Sequence, residues 1–155
     1  MIWHGIVRER LHASGLFVEG RGIPSDDRLA EHLATDEKPP DPEGASLECL
    51  APTPLCNSPI SETLFLDIHF DSTTGSYSYA LIDLTLPYPG DKRVLGWDDY
   101  PHEAIEAIRQ LSSHPHHFQK RAPTGEWVFE ASAMRGDIER EMDLVLDTLK
   151  RHLGP

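Results

Sequence analysis

ETLFLDIHF, residues 62–70, decides the fold. Leu64, Leu66, Ile68 and Phe70 fall on one side, and Thr63, Phe65, Asp67 and His69 on the other. A period of two in hydrophobicity is the mark of a half-buried strand, because successive side chains point to opposite faces. Asp71-Ser72-Thr73-Thr74-Gly75 then supplies turn chemistry, with a glycine able to adopt positive φ. Ser76 to Leu86 reads as the returning arm, with Tyr77, Tyr79 and Leu81 on one face. Pro87-Tyr88-Pro89-Gly90-Asp91 reverses the chain again, and Lys92 to Trp97 forms a third strand antiparallel to the second. The three make a β meander.

Downstream, Ala104, Ile105, Ile108 and Leu111 have helical spacing and predict a helix over Pro101 to Ser112, with Asp99 as its cap. His114 to Pro123 reads as a loop rich in histidine and base. Glu126 to Ser132 is a fourth main strand. A last helix, capped by Asp137, runs to Leu153 with Ile138, Met142, Val145, Leu149 and Leu153 as its apolar stripe. Upstream, residues 1–23 carry the pattern of a hairpin that turns at His12 to Gly15. Ser25 caps a short helix, Asp26 to Ala34. Residues 35–59 hold six of the thirteen prolines and predict an irregular loop. The fold class is therefore α+β: an antiparallel meander packed by a short helix and a long C-terminal helix, in one domain over residues 1–155.

The totals bound the function. Twenty-six acids against fourteen bases give a net charge of −12, which opposes general adhesion to nucleic acid or to anionic membrane but leaves room for a local basic site. No apolar run approaches 18 residues and no signal-peptide pattern is present, so the expected location is the cytoplasm, with no membrane partner. Cys49 and Cys56, in the proline-rich stretch, read as free thiols rather than zinc ligands. Phosphate-loop, dinucleotide-binding, HExxH and GxSxG motifs are all missing, which removes most nucleotide hydrolases, Rossmann enzymes, zincins and α/β-hydrolases.

Candidate chemistry concentrates in GWDDYPHEAIEAIRQLSSHPHHFQKR, residues 96–121, which holds four of the nine histidines. Asp98, Asp99, His102, His116 and His117 have the ligand types that suit Zn²⁺, Mn²⁺ or Fe²⁺, although their spacing matches no established metal motif. A second reading is proton transfer. Phosphodiester cleavage needs one group to accept a proton, one to donate it, and cations near the phosphate. His116, His117, Lys120 and Arg121 supply these types within six residues, and Trp97, Tyr100 or Phe118 offers a stacking surface for a base. The plain alternatives stay open: solvated loop histidines, Asp98-Asp99 as a helix cap, and Trp97 as core. Both histidine segments serve one site only if the loop folds back across a helix roughly 15 Å long.

Trp97-Asp98-Asp99-Tyr100-Pro101-His102, then Pro115-His116-His117, then a terminal amphipathic helix, resembles the TumE-like toxin family of prokaryotic toxin–antitoxin pairs. The resemblance covers about residues 62–153 and includes Ser76-Tyr77-Ser78-Tyr79. Gly96, Asp99, Glu103 and Gln119 depart from the residues common in that family. The resemblance implies a small toxin paired with a helix-turn-helix antitoxin, with Trp97, Asp98, Pro101, His102, Pro115, His116 and His117 as the matching positions. The expectation is a toxin acting on RNA through His102, His116 and His117, with Asp98 orienting an imidazole and Trp97, Lys120 and Arg121 contacting substrate. The alternatives are a metal-binding regulator or metal-dependent hydrolase holding a divalent ion, and a non-enzymatic interaction module. A homodimer is compatible with each.

Overall fold

The computed structural model of the chain describes residues 9–11, 13–16, 57–70, 74–87 and 91–154. Six strands follow in chain order: β1 (Asn57–Pro59), β2 (Leu64–Phe70), β3 (Tyr77–Asp83), β4 (Arg93–Asp98), β5 (His117–Arg121) and β6 (Trp127–Ala131). They form one sheet in the order β1-β2-β3-β4-β5-β6, and every pairing is antiparallel. Two helices accompany the sheet, α1 (Glu106–Arg109) and α2 (Ile138–Leu153), and residues 9–11 and 13 are also helical. The α+β class follows directly.

Register divides the sheet into two faces with different content. Leu66 pairs with Leu81 and Leu81 with Leu95; Ile68 pairs with Tyr79 and Tyr79 with Trp97. Directly paired residues point to the same side, so these side chains form one apolar face. Helix α2 covers it with Ile138, Met142, Val145, Leu146 and Leu149, all buried. Burying each large apolar side chain contributes about 1.5–3 kcal/mol; this packing, rather than helix propensity, holds α2 in place. Glu141 ties the helix start to the sheet. Its carboxylate accepts the backbone N–H of Arg135 and of Gly136 and the hydroxyl proton of Tyr79. Asp137 occupies the N-cap position without a side-chain cap bond, and its backbone carbonyl accepts from the N–H groups of Arg140 and Glu141.

The opposite face carries Phe65, Ala80, Ile82 and Leu84 as a small apolar cluster. It also carries the polar row described below. Gly96 lies on this face, paired with Ala80. A Cβ there would sit 2.5 Å from the Tyr79 carbonyl oxygen, so only glycine lets β4 approach β3 this closely.

Five expectations need correction. The helix predicted over Pro101 to Ser112 is a single turn, Glu106–Arg109, preceded by extended Ile105. His102 takes φ +40, a left-handed conformation that ends any helical path through this segment. Asp99 is consequently not a cap: its Oδ1 accepts from Ser76 Oγ at 2.8 Å and from the Tyr77 backbone N–H, fixing the start of β3. The segment read as a loop, His114 to Pro123, contains β5. At the N-terminal side, residues 9–11 and 13 are helical where the hairpin was expected, and residues 57–59 are a strand within the proline-rich stretch. The remainder of that hairpin, the helix Asp26 to Ala34, both cysteines and the rest of the 35–59 loop lie outside the described residues. Among the described residues, no helix is long and apolar enough to cross a membrane.

Candidate metal centre

Asp98 ends β4 and pairs directly with His117, which starts β5. Both point away from α2. Asp98 and His117 are buried to 3% and 0% exposure. The chain leaving β4 turns tightly, because the Tyr100 N–H donates to Asp98 Oδ1 at 2.9 Å. That turn and the left-handed His102 backbone swing the His102 ring back over the pair. His102 Nε2 lies 3.8 Å and His117 Nε2 3.3 Å from the same carboxylate oxygen. The two imidazoles meet edge to face at 5.2 Å between centroids. One ligand atom from each of Asp98, His102 and His117 lies within 4.8 Å of the other two.

The protonation of His117 can be read from its partners. Nδ1 sits 2.9 Å from the Pro115 carbonyl oxygen, which can only accept, so Nδ1 carries a proton. Nε2 is buried and makes no hydrogen bond, although it faces Asp98 Oδ1. In the neutral ring Nε2 presents a lone pair to a carboxylate, an arrangement that invites a cation between them. A backbone carbonyl fixing the far nitrogen of a histidine is also the usual outer support of a metal ligand. Ligand atoms around an ion at about 2.1 Å lie roughly 3.0–4.2 Å apart; the two contacts of Asp98 Oδ1, 3.8 and 3.3 Å, fall in that range, while the whole set extends to within 4.8 Å. Two imidazoles and one carboxylate on one side of an ion form a facial set that leaves coordination positions open.

The surroundings brace this geometry. Ser113, buried, donates its hydroxyl to the His116 carbonyl and accepts the Ser132 N–H at 2.9 Å. It thereby clamps the entry of β5 to the exit of β6. Phe129 stands edge-on to His117 at 6.3 Å. The left-handed backbone of His102 stores strain at a site residue, where strain is more often tolerated for function than elsewhere.

The other expected residues lie elsewhere. His116 faces Tyr77: Tyr77 donates its hydroxyl proton to the Met134 carbonyl, and His116 Nδ1 donates to the Tyr77 oxygen at 2.8 Å. Burial, and then the Arg135 guanidinium, hold His116 below the ordinary histidine pKa. Burial, reinforced by Glu141, pushes the Tyr77 phenol up. Trp97 is core, packed between Tyr79 and Phe118 beneath α2. Lys120 points to the α2 side of β5, half exposed and 3.9 Å from Glu130. Arg121 is on the centre's face but at the far end of β5. Its guanidinium donates to the backbone oxygens of Arg93, Gly125 and Asp91 and lies over Trp127, so it braces the sheet edge. The fold thus gathers Asp98, His102 and His117 and leaves out His116, Trp97, Lys120 and Arg121. His114 is exposed.

No protein-family model, curated protein or solved structure matches the chain.

Proposed function

We propose that the chain binds one divalent transition-metal ion through Asp98, His102 and His117 and uses it to hydrolyse phosphodiesters. The observation that carries this reading is the buried His117 Nε2, aimed at Asp98 Oδ1 with its proton held on the other nitrogen by Pro115. A bound divalent ion lowers the pKa of a coordinated water and neutralises charge developing on a phosphoryl group. That second effect also answers the charge of −12, since the ion supplies the local positive centre that an acidic chain lacks.

RNA is the phosphodiester we place beside the toxin resemblance, because the imidazole groups of these segments suit its cleavage. Asp98 and His102 belong to the first segment of that resemblance and His117 to the second, so the three gathered residues come from the two segments that define it. On this reading the protein is the cytoplasmic toxin of a pair whose antitoxin carries a helix-turn-helix.

Titration of chelator-stripped protein with Zn²⁺, Mn²⁺ and Fe²⁺ tests the metal. One ion per chain is expected, lost in Asp98→Ala and His117→Ala. Failure of all three ions to bind stoichiometrically refutes the centre. Induced expression tests the toxin: growth arrest should require Asp98 and His117, and a helix-turn-helix protein encoded beside the gene should relieve it. Arrest that persists in both variants removes the centre from toxicity.

A further inference from the structure

The strand ladder places a second histidine–carboxylate pair beside the proposed metal centre. His69 pairs with Ser78, Ser78 with Asp98, and Asp98 with His117. These four side chains therefore form one row across the sheet, on the face away from α2. Asp67, two residues before His69 on the same side of β2, occupies the next row with Ala80, Gly96 and Gln119. His69 Nε2 and Asp67 Oδ2 are 2.7 Å apart. Both side chains are part-exposed, at 24% and 22%.

Only β3 separates this pair from Asp98. Two strand spacings of about 4.8 Å put the β2 and β4 backbones roughly 10 Å apart. The residues between them are small: Ser78, Ala80 and, on β4 itself, Gly96. A phosphodiester held at the ion with its leaving group directed toward β2 would run over Ser78 and Ala80. The carboxylate of Asp67 takes the Nε2 of His69 and fixes the ring, and among the described residues Nδ1 has no hydrogen-bond partner.

We propose that His69 is the general acid of the metal-dependent reaction and that Asp67 is its positioning residue. This proposal rests on the phosphodiesterase reading above. Water activated at the ion attacks phosphorus, forming a new P–O bond, and its proton leaves to solvent. The bond from phosphorus to the departing oxygen breaks. The electron pair stays with that oxygen, which takes the proton from His69 Nδ1. The imidazole is reprotonated from solvent, so water is the sole co-reactant consumed.

Two substrates with different leaving groups test this on the full chain loaded with Mn²⁺ or Zn²⁺. Bis(4-nitrophenyl) phosphate releases a phenolate that needs no proton; a ribodinucleotide releases an alkoxide that does. His69→Gln and Asp67→Asn should keep one ion per chain and cleave the nitrophenyl ester within about threefold of wild type, while losing on the order of 10²-fold or more on the dinucleotide. Equal loss on both substrates assigns a merely structural role and overturns the proposal. Undiminished dinucleotide cleavage overturns it as well, and loss of the ion makes His69 a ligand instead. Wild-type protein that binds the ion but cleaves neither substrate overturns the phosphodiesterase reading itself, a failure separate from that of His69.

Discussion

Replacing Asp98 by asparagine should stabilise the metal-free protein. Asp98 Oδ1 accepts the Tyr100 N–H at 2.9 Å, and with a neutral His117 ring it also confronts the Nε2 lone pair at 3.3 Å, in a site that excludes most solvent. Two acceptors facing each other in a low dielectric are unfavourable. An asparagine either retains the Tyr100 bond through its oxygen or turns its amide to donate to Nε2. In both cases one hydrogen bond worth about 1 kcal/mol is kept or exchanged, and a buried charge is removed. The net gain is about 1 kcal/mol, or roughly 2–4 °C in Tm for a chain of this size. Metal reverses the order. At a free-ion concentration a hundred times Kd, wild type gains about 2.7 kcal/mol by linkage, while Asp98→Asn gains little. Thermal unfolding followed by circular dichroism, in chelator and then in excess Zn²⁺, reads both halves. If Asp98→Asn is less stable than wild type by 1 kcal/mol or more in chelator, Asp98 faces an imidazolium in a buried ion pair, and the metal reading is wrong.

Gly96→Ala should cost about 1–3 kcal/mol or more in urea unfolding, because its Cβ meets the Tyr79 carbonyl at 2.5 Å and Ala80 at 3.2 Å in the middle of the sheet; an unchanged midpoint would mean that β3 and β4 part easily. Arg121→Ala should lower stability by roughly 2–3 kcal/mol, since it releases three backbone carbonyls. Metal affinity, measured calorimetrically, should be untouched; a weaker ion would reinstate Arg121 near the site. Alkaline pH should destabilise the fold. Burial raises the pKa of both Tyr77 and Tyr79 above the ordinary 10.0. Above pH 10 the unfolded phenols lose protons that the folded ones keep, so each pH unit removes about 1.4 kcal/mol per tyrosine. Tyr79→Phe should halve that slope in denaturant titrations between pH 10 and 12; an unaltered slope would place the loss at other groups.

The meander was legible because the α2-facing positions of β2, and of β3 from Tyr77 to Leu81, are apolar at a period of two, although Phe65, Ala80 and Ile82 make the other face partly apolar too, and α2 because its stripe repeats at helical spacing. Strand β5 was not, for a physical reason. His117 and Gln119 are buried polar residues facing the candidate centre, so the strand lacks the apolar alternation that marks the others. The segment from Pro101 to Ser112 misled in the opposite way. Its apolar spacing fits a helix, yet only Ile108 is buried, and the left-handed His102 serves the site rather than the helix. The residue types of the centre were visible in the sequence. Which histidine meets Asp98 depends on register between strands, a tertiary property that places His117 on one side of the sheet and turns the neighbouring His116 toward Tyr77.

That register has a consequence for how the segment can vary. Asp98 and His117 are adjacent through the β4–β5 ladder, so the length of chain joining them does not set their distance. Residues inserted between His102 and Ser113 outside the Glu106–Arg109 turn, whose Ile108 is buried, would cost mainly loop entropy, about 0.6 kcal/mol for a doubling. A single residue inserted within β4 or β5 would turn the histidine or the aspartate to the other face and dismantle the centre at once. The two histidine segments are therefore free to drift apart in sequence while remaining neighbours in space, and the strand phase of each, rather than the spacing between them, is the feature by which other chains with this centre should be sought.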